Sequence, residues 1–215
     1  MENYVVTISR QFGSMGRPIA RRLAQLLDVN FYDRDAVEER ARQEHLPVSI
    51  INDLKRASED PYFMMKYPLG NGSSDVRYHL FQRQKEIVLN LADQGSCVFV
   101  GRCADYILGQ RKNHLSVFIY APLESRVQVC MERFGMDEKT ARMMTVTVDR
   151  ARQDYHMTFA RCLPHDMQHK DLLINSQALG VEKTACLLRD LVQIKFGGAK
   201  DTEEAMDRAR RMVQV

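Results

Sequence analysis

Two glycines and two arginines near the start of the chain form a pattern that suits phosphate binding. Gly13 and Gly16 lie in one short loop, Arg10 precedes the loop, and Arg17 directly follows its second glycine. Backbone N–H groups in such a loop, with the positive end of a following helix dipole, attract anions. A guanidinium adds charged, bidentate hydrogen bonds to phosphate oxygens. The pattern predicts a phosphate site formed by Gly13, Ser14, Met15, Gly16 and Arg17.

The same loop has a plainer interpretation, because a glycine turn between a strand and a helix often binds nothing. It also departs from the P-loop pattern, G-x-x-x-x-G-K-[ST]. If Gly16 is the last glycine of that pattern, Arg17 replaces the lysine, Pro18 replaces the hydroxyl residue and Gln11 replaces the first glycine. Pro18 cannot ligate Mg²⁺, so Ser14, an aspartate or water would have to do so.

A strand and a helix are predicted on either side of this loop. The run from Val5 to Ile8 is short, apolar and rich in β-branched residues, as is typical of a buried strand. Pro18 suits the first turn of a helix, where a missing N–H costs little. Apolar residues then recur at helical spacing, at Ile19, Leu23, Leu26 and Leu27.

Four further apolar runs alternate with helical segments, at residues 31–33, 97–100, 115–120 and 172–174. This alternation predicts an α/β fold with a five-stranded parallel sheet and helices on both faces. Ligands of such sheets bind at the carboxyl ends of the strands. Polar residues follow three of the predicted strands: the glycine loop, Asp33, and Arg102 with Asp105. Their shared position favours a nucleotide site.

Composition excludes several classes of protein. The 215 residues are sufficient for one main domain, and no apolar run approaches the length needed to span a membrane. The start of the sequence lacks the pattern of a signal peptide. A net charge of only +3 does not indicate a nucleic-acid binder. We therefore expect a cytoplasmic protein with neither a membrane nor a nucleic-acid partner, present as a monomer or homodimer.

The cysteines and histidines allow one metal hypothesis, which we set aside. His165 and His169 lie four residues apart, with His156 and Cys162 nearby. Closed structural zinc sites, however, favour paired cysteines two to four residues apart, and the five cysteines contain no such pair. We predict no metal ligands among these residues, and we expect all five thiols to be reduced.

The order and spacing of several segments resemble the cytidylate kinase-like family, a divergent branch of the P-loop nucleoside monophosphate kinases. The resemblance extends from residue 4 to about residue 192, and it is carried by ISRQFGSMGRPIARRLA, FYDRDAVEE, FQRQKEIVLNLADQGSCVFVGRCADYIL, APLESRV, VDRARQDYHMTF and DLLINSQALGVEKTACLL. It implies a three-layer P-loop kinase-like domain over residues 1–198, with a helical acceptor-binding insert at about 34–93 and a lid at about 136–170. A C-terminal helix would follow at 199–215.

The resemblance also implies an activity and assigns roles to residues. The chain would transfer the γ-phosphoryl group of ATP, with Mg²⁺, to a nucleoside monophosphate, CMP or dCMP above others. The glycine loop would hold the donor phosphates, while Asp33, Arg102 and Asp105 would bind the acceptor. Arg17, Arg150 and Arg152 are the candidate catalytic residues, the last two from the lid.

Two alternatives stay open. Because the P-loop residues are replaced, the chain is also consistent with a nucleotide-binding sensor or scaffold that has no activity. Arg126 either contacts phosphate or forms a structural pair with Glu124 or a neighbouring helix. Asp149 is interpreted as part of an ion pair on a helix surface.

Overall fold

A single parallel sheet organises the computed structural model, which describes residues 3–43, 62–69 and 72–213. Its order is β2-β3-β1-β4-β5, and every neighbouring pair is parallel. The strands are β1 (Val5–Arg10), β2 (Asn30–Tyr32), β3 (Cys97–Val100), β4 (His114–Tyr120) and β5 (Leu172–Asn175). The five-stranded parallel sheet expected from the sequence is confirmed.

Strand β1 occupies the centre of the sheet and is longer than predicted. It pairs with β3 on one side and β4 on the other, and the ladder with β4 continues to the pair Arg10 and Ile119. The apolar run ends at Ile8, but backbone pairing extends the strand by two polar residues. Arg10 is therefore fixed by the sheet and does not belong to the loop.

Helices cover both faces of the sheet, as side-chain alternation along each strand requires. The helices are α1 (Gly16–Leu27), α2 (Arg34–Gln43), α3 (Phe63–Lys66), α4 (Ser74–Asp93), α5 (Ala104–Ile107), α6 (Leu123–Phe134), α7 (Glu138–Ala160), α8 (Ser176–Phe196) and α9 (Ala199–Val213), with a 3-10 turn at Met167–His169. Val6 and Ile8 pack into one core with α1 and α8, while Val5 and Phe99 pack into another with α4 and α5.

A third, smaller core lies under the glycine loop. Phe12 is 4% exposed and packs with buried residues of α6 and α7, among them Val127 and Met144. Its ring also stacks on Phe134, with the two centroids 5.6 Å apart. The loop is therefore anchored on the side away from β1.

Some helices begin, end or bend at positions that the apolar periodicity of the sequence does not predict. Helix α4 is capped by Ser73, whose side chain accepts from the N–H of Val76. Helix α7 continues to Ala160, where Arg161 ends it in a left-handed conformation with φ of 61°. Helix α8 begins at Ser176 and bends at Gly180, whose φ of 70° and ψ of 179° are not helical. These ends are set by local hydrogen bonds that apolar spacing does not record.

The proposed subdivision of the domain stays a prediction. Residues 44–61 and 70–71 of the predicted insert lie outside the described residues. The C-terminal helix α9 is present and buries Ala205 completely. Of the helices that the structure describes, none combines the length and the apolar character that crossing a membrane would require.

Candidate active site

A cleft of about 450 Å³ opens at the carboxyl ends of β1, β2 and β3. The glycine loop forms one wall, and residues of α7 line another side. Among the described residues that line it, six arginines face two aspartates, Asp33 and Asp35; the arginines are Arg10, Arg17, Arg34, Arg102, Arg133 and Arg152. This excess of positive charge in a concave site favours an anionic ligand.

The glycine loop has the geometry of an anion site. Met15 adopts a left-handed conformation with φ of 61°, and helix α1 begins at the next residue, Gly16. Of the first four residues of the helix, Pro18 has no N–H and Ile19 donates to the carbonyl of Met15 over 3.0 Å. The N–H groups of Gly16 and Arg17 have no partner within the helix, because they belong to its first turn.

Ser14 does not line the cleft, although it lies within the predicted phosphate loop. Its hydroxyl is 2.9 Å from the carbonyl oxygen of Gln11 and 3.1 Å from that of Ile119, and the residue is 1% exposed. Its own carbonyl accepts from the hydroxyl of Ser176 over 2.7 Å. Ser14 therefore joins the loop to β4 and α8, and its hydroxyl is not free to ligate a metal.

Arg17 reaches from the start of α1 to the start of α2. One of its terminal nitrogens lies 2.5 Å from Asp33 and 2.7 Å from Asp35. Asp33 is 5% exposed and also accepts from the N–H of Ala36, which caps helix α2. The guanidinium that replaces the P-loop lysine is thus already neutralised by two carboxylates.

Arg102, at the end of β3, is also paired. Its guanidinium donates to the carbonyl of Pro68 over 2.9 Å and to the side-chain oxygen of Gln84 over 3.0 Å, and it forms an ion pair with Glu38. Gln84 in turn donates to the hydroxyl of Tyr155 on α7 over 2.6 Å. These contacts connect α2, α4 and α7 around the end of β3, on the side of the cleft predicted to bind the acceptor.

Arg10 lines the cleft, and among the described residues its guanidinium forms neither a hydrogen bond nor an ion pair. Burial lowers the pKa of Arg10 well below its ordinary value, and the positive charges of Arg152, Arg17 and Arg102 lower it further. The carboxylate of Asp33 opposes this shift but does not outweigh it. The sequence contained one signal for this residue, its position at the end of a strand and before a glycine loop, but Arg10 was not among the predicted site residues.

The two lid arginines have different surroundings. Arg152 lines the cleft, donates to the carbonyl of Arg10 over 3.1 Å and lies 5.8 Å from the centre of the Phe12 ring. Burial lowers its pKa to about 10. Arg150 is exposed and does not line the cleft. Residues two apart on a helix point in nearly opposite directions, so both arginines cannot face the same cavity.

Asp105 lies in a second cavity, of about 580 Å³, outside the arginine-lined cleft. One of its oxygens is 3.0 Å from Nε2 of His156 and also pairs with Lys170. Burial opposes ionisation of this carboxyl, but His156 and Lys170 outweigh it and hold its pKa well below the usual range. The structure therefore brings Asp33 and Arg102 together in one cleft and leaves Asp105 apart.

The histidines considered for zinc are not gathered at one point. His156 bonds to Asp105, whereas the ring of His165 lies 5.6 Å from that of Phe118. Within the described ranges, no group of three or more His, Cys, Asp and Glu side chains is placed to hold a metal ion.

Comparison with known proteins adds a family and a fold. The sequence profile of the cytidylate kinase-like family matches residues 5–178. A curated protein named cytidylate kinase, from Staphylothermus marinus, is 24% identical over 190 residues, which cover 88% of this chain and 96% of that protein.

Two solved structures are similar to the chain. One is an uncharacterized protein from Eubacterium ventriosum, with a TM-score of 0.69 at 24% identity over 88% of this chain and 98% of that one. The other is shikimate kinase from Acinetobacter baumannii, with a TM-score of 0.51 at 13% identity over 90% and 95% of the two chains. At these identities the structural likeness establishes the fold alone.

Proposed function

Because the chain belongs to the cytidylate kinase-like family, we propose that it transfers the γ-phosphoryl group of ATP to a nucleoside monophosphate. The observation that carries this proposal is the cleft in which arginines from β1, α1, α7 and the turn after β3 surround a glycine loop. Two phosphorylated substrates bring many negative charges together, and such a cleft neutralises them. CMP or dCMP is the proposed acceptor, in line with the name of the Staphylothermus marinus relative.

The proposed reaction needs positioning and charge, and no covalent intermediate with the protein. An oxygen of the acceptor phosphate bonds to the γ-phosphorus of ATP, and the bond from that phosphorus to the β,γ-bridging oxygen breaks. The bridging oxygen keeps the electron pair, so the products are ADP and a nucleoside diphosphate. Catalysis of this kind rests on alignment of the two oxygens and on neutralising the charge of the transition state.

The chain divides these tasks between the two sides of the cleft. In our proposal, the N–H groups of Gly16 and Arg17 bind donor phosphate oxygens, because helix α1 leaves them without partners. Arg102 exchanges its pair with Glu38 for the acceptor phosphate. Arg152 reaches the transferring group from α7, where exclusion of water strengthens its interaction with an anion.

The residues of the cleft fit a Mg²⁺ ion carried by the nucleotide. Mg²⁺ usually retains several waters and is held by one or two carboxylates together with substrate phosphates. Asp33 and Asp35 line the cleft and would hold it, whereas Ser14 and Pro18 offer no free hydroxyl. When bound, the ion would neutralise charge on the donor phosphates. Binding of the ion would then break the ion pairs of Arg17 with Asp33 and Asp35.

A coupled assay of ADP release tests the proposed function. Purified protein is incubated with ATP and Mg²⁺ and, separately, with CMP, dCMP, UMP, AMP, GMP and dTMP. We expect turnover with CMP or dCMP that exceeds the ATPase rate measured without an acceptor. Turnover that is the same with and without every monophosphate would contradict the proposal.

One observation favours the second candidate, a nucleotide-binding sensor or scaffold without activity. Pro18 removes the P-loop hydroxyl, and Arg17 is neutralised by Asp33 and Asp35. Isothermal titration separates the two candidates. ATP binding with no turnover of any monophosphate would favour the sensor, and ATP binding with turnover would favour the kinase.

A further inference from the structure

We propose that Arg10, rather than Arg17, is the catalytic cation that contacts the transferring phosphoryl group. This inference rests on the proposed kinase function. Arg10 would take the role of the P-loop lysine, although it precedes the glycine loop and the lysine of that pattern follows it. Three features of Arg10 support it: where the strand places it, the room that two glycines leave for it, and the absence of a hydrogen-bond or ion-pair partner for its guanidinium among the described residues.

The sheet places Arg10 at the centre of the cleft. It is the last residue of β1, the central strand, and its backbone pairs with that of Ile119. Neighbouring β3 ends at Val100 and is followed by Gly101 and Arg102, on the side predicted to bind the acceptor. A side chain that leaves the end of β1 therefore lies between the donor loop and the acceptor side.

Two glycines leave room for the Arg10 side chain in this position. A Cβ added at Gly16 would lie 2.7 Å from Cβ and 3.0 Å from Cγ of Arg10. A Cβ added at Gly101 would overlap Nη1 of the same arginine. Hence the stem of Arg10 packs on the first residue of α1 and its guanidinium lies on the end of β3. The side chain spans the gap that a phosphoryl group has to cross between donor and acceptor.

Arg10 differs from Arg17, Arg102 and Arg152 in having no carboxylate or carbonyl partner for its guanidinium in the described part of the chain. Arg133 also lines the cleft without such a partner, but it is exposed to solvent, whereas Arg10 is not. Arg17 is held by Asp33 and Asp35, and Arg102 by Glu38. Arg152 donates to a carbonyl and lies 3.8 Å from Asp149. A cation removed from water without a partner is costly, and an anion that binds beside it relieves that cost. The lowered pKa of Arg10 agrees with this position among like charges.

The effect of removing Arg10 on stability distinguishes a catalytic role from a purely structural one. A structural arginine stabilises the fold through its bonds, so removing it lowers the melting temperature. Among the described residues Arg10 has no such bonds, and the repulsion from Arg152, Arg17 and Arg102 outweighs the attraction of Asp33. Removing that charge should therefore raise the melting temperature of the ligand-free protein while it lowers kcat.

The first experiment compares Arg10→Met with wild type and with Arg83→Gln, which removes an exposed arginine on α4. We expect Arg10→Met to lower kcat about 100-fold or more, as loss of a transition-state hydrogen-bond donor does. KM for the acceptor should change less than kcat. The melting temperature of the free protein should rise, and Arg17→Met should lower kcat less than Arg10→Met does. Arg83→Gln should resemble wild type in each respect.

The second experiment fills the space that the guanidinium occupies. Gly101 has φ of +74°, so Gly101→Ala adds both backbone strain and overlap with Arg10. Gly135→Ala is the matched control, because Gly135 has φ of +64° but nothing within 4 Å of an added Cβ. Only Gly101→Ala should lower kcat. In an Arg10→Ala background it should lower kcat no further, since the guanidinium it displaces is absent.

The outcomes separate this inference from the proposed function. If wild type is active and Arg10→Met keeps kcat within threefold, Arg10 is not the catalytic cation and the kinase proposal stands. A lower melting temperature in Arg10→Met, with kcat reduced only in proportion to unfolding, would also overturn the inference. If wild type is inactive, the kinase proposal fails and inorganic tripolyphosphate becomes the probe. An unchanged affinity of Arg10→Met for it would then overturn the role of Arg10, and a tenfold loss would support Arg10 as its binding cation.

Discussion

Replacement of Asp149 by alanine should destabilise the protein more than loss of any exposed ion pair. Asp149 on α7 pairs with Arg126 on α6, with 2.6 Å between Oδ2 and Nη1, and the two side chains are 14% and 8% exposed. The other oxygen of Asp149 accepts from the N–H of Phe12 over 2.6 Å. Arg126 donates to the carbonyl of Phe12 over 3.1 Å. The pair therefore holds both backbone groups of the residue that precedes Gly13.

The expected size of the effect follows from the burial of this pair. Asp149→Ala leaves the Arg126 guanidinium buried without a counter-ion and the Phe12 N–H without its acceptor. Removing one member of a buried ion pair costs about 3–5 kcal/mol. At about 2–4 °C per kcal/mol for a chain of this size, the melting temperature should fall by about 6–20 °C.

Glu124→Ala is the matched control, because it removes an exposed partner of Arg142 on the same two helices. Glu124 and Arg142 have side chains 73% and 42% exposed, and their closest atoms lie 2.8 Å apart. Exposed pairs contribute little to stability, because water and salt screen their charges. Thermal and urea unfolding, followed by circular dichroism, should therefore give a small change for Glu124→Ala. If Asp149→Ala costs no more than this control, the buried pair does not hold the glycine loop and the reasoning is wrong.

Three further predictions concern binding and pH. Arg102→Ala should weaken acceptor binding roughly 10- to 100-fold through loss of a charge-assisted hydrogen bond, with ATP affinity nearly unchanged in calorimetric titration. A crystal grown in sulfate should hold an anion against the N–H groups of Gly16 and Arg17, and an empty loop would contradict the phosphate site. Burial lowers the pKa of His114 from 6.5 to about 4, with smaller effects from Asp105, Asp171, Lys170 and Lys195. Since folding then favours the neutral ring, about 3 kcal/mol of stability should be lost as the pH falls from 6.5 to 4, and His114→Gln should reduce that loss in urea unfolding.

The sequence alone determined the family, the fold class and the end of the sheet at which a site should form. Apolar runs such as Val5 to Ile8 identify strands because a strand buried on both faces needs apolar residues at every position. Pro18 and the glycines mark the turn into α1 because their backbone preferences are local. Such signals depend only on residues close together in the sequence, so they can be recognised without knowledge of the tertiary structure.

Which arginines of the cleft are neutralised was decided only by the tertiary structure. Arg17, Arg102 and Arg126 look alike in sequence, yet each is neutralised by a carboxylate on a different element, at Asp33, Glu38 and Asp149. Asp149, interpreted from its helical spacing as a surface residue, has a side chain only 14% exposed that holds Arg126 and the residue before Gly13.

The burial of Asp105 and the exposure of Arg150 were also decided by tertiary packing. Asp105 meets His156 and Lys170 only when α5, α7 and the segment before β5 pack together, and Arg150 turns outwards because Arg152 turns inwards. The charge that a site presents depends on partners brought from distant parts of the chain. Periodicity and motif spacing describe one segment at a time. They could predict a cleft rich in arginine, but they could not predict that Arg10 would lie in it, away from solvent, without a hydrogen-bond or ion-pair partner among the described residues.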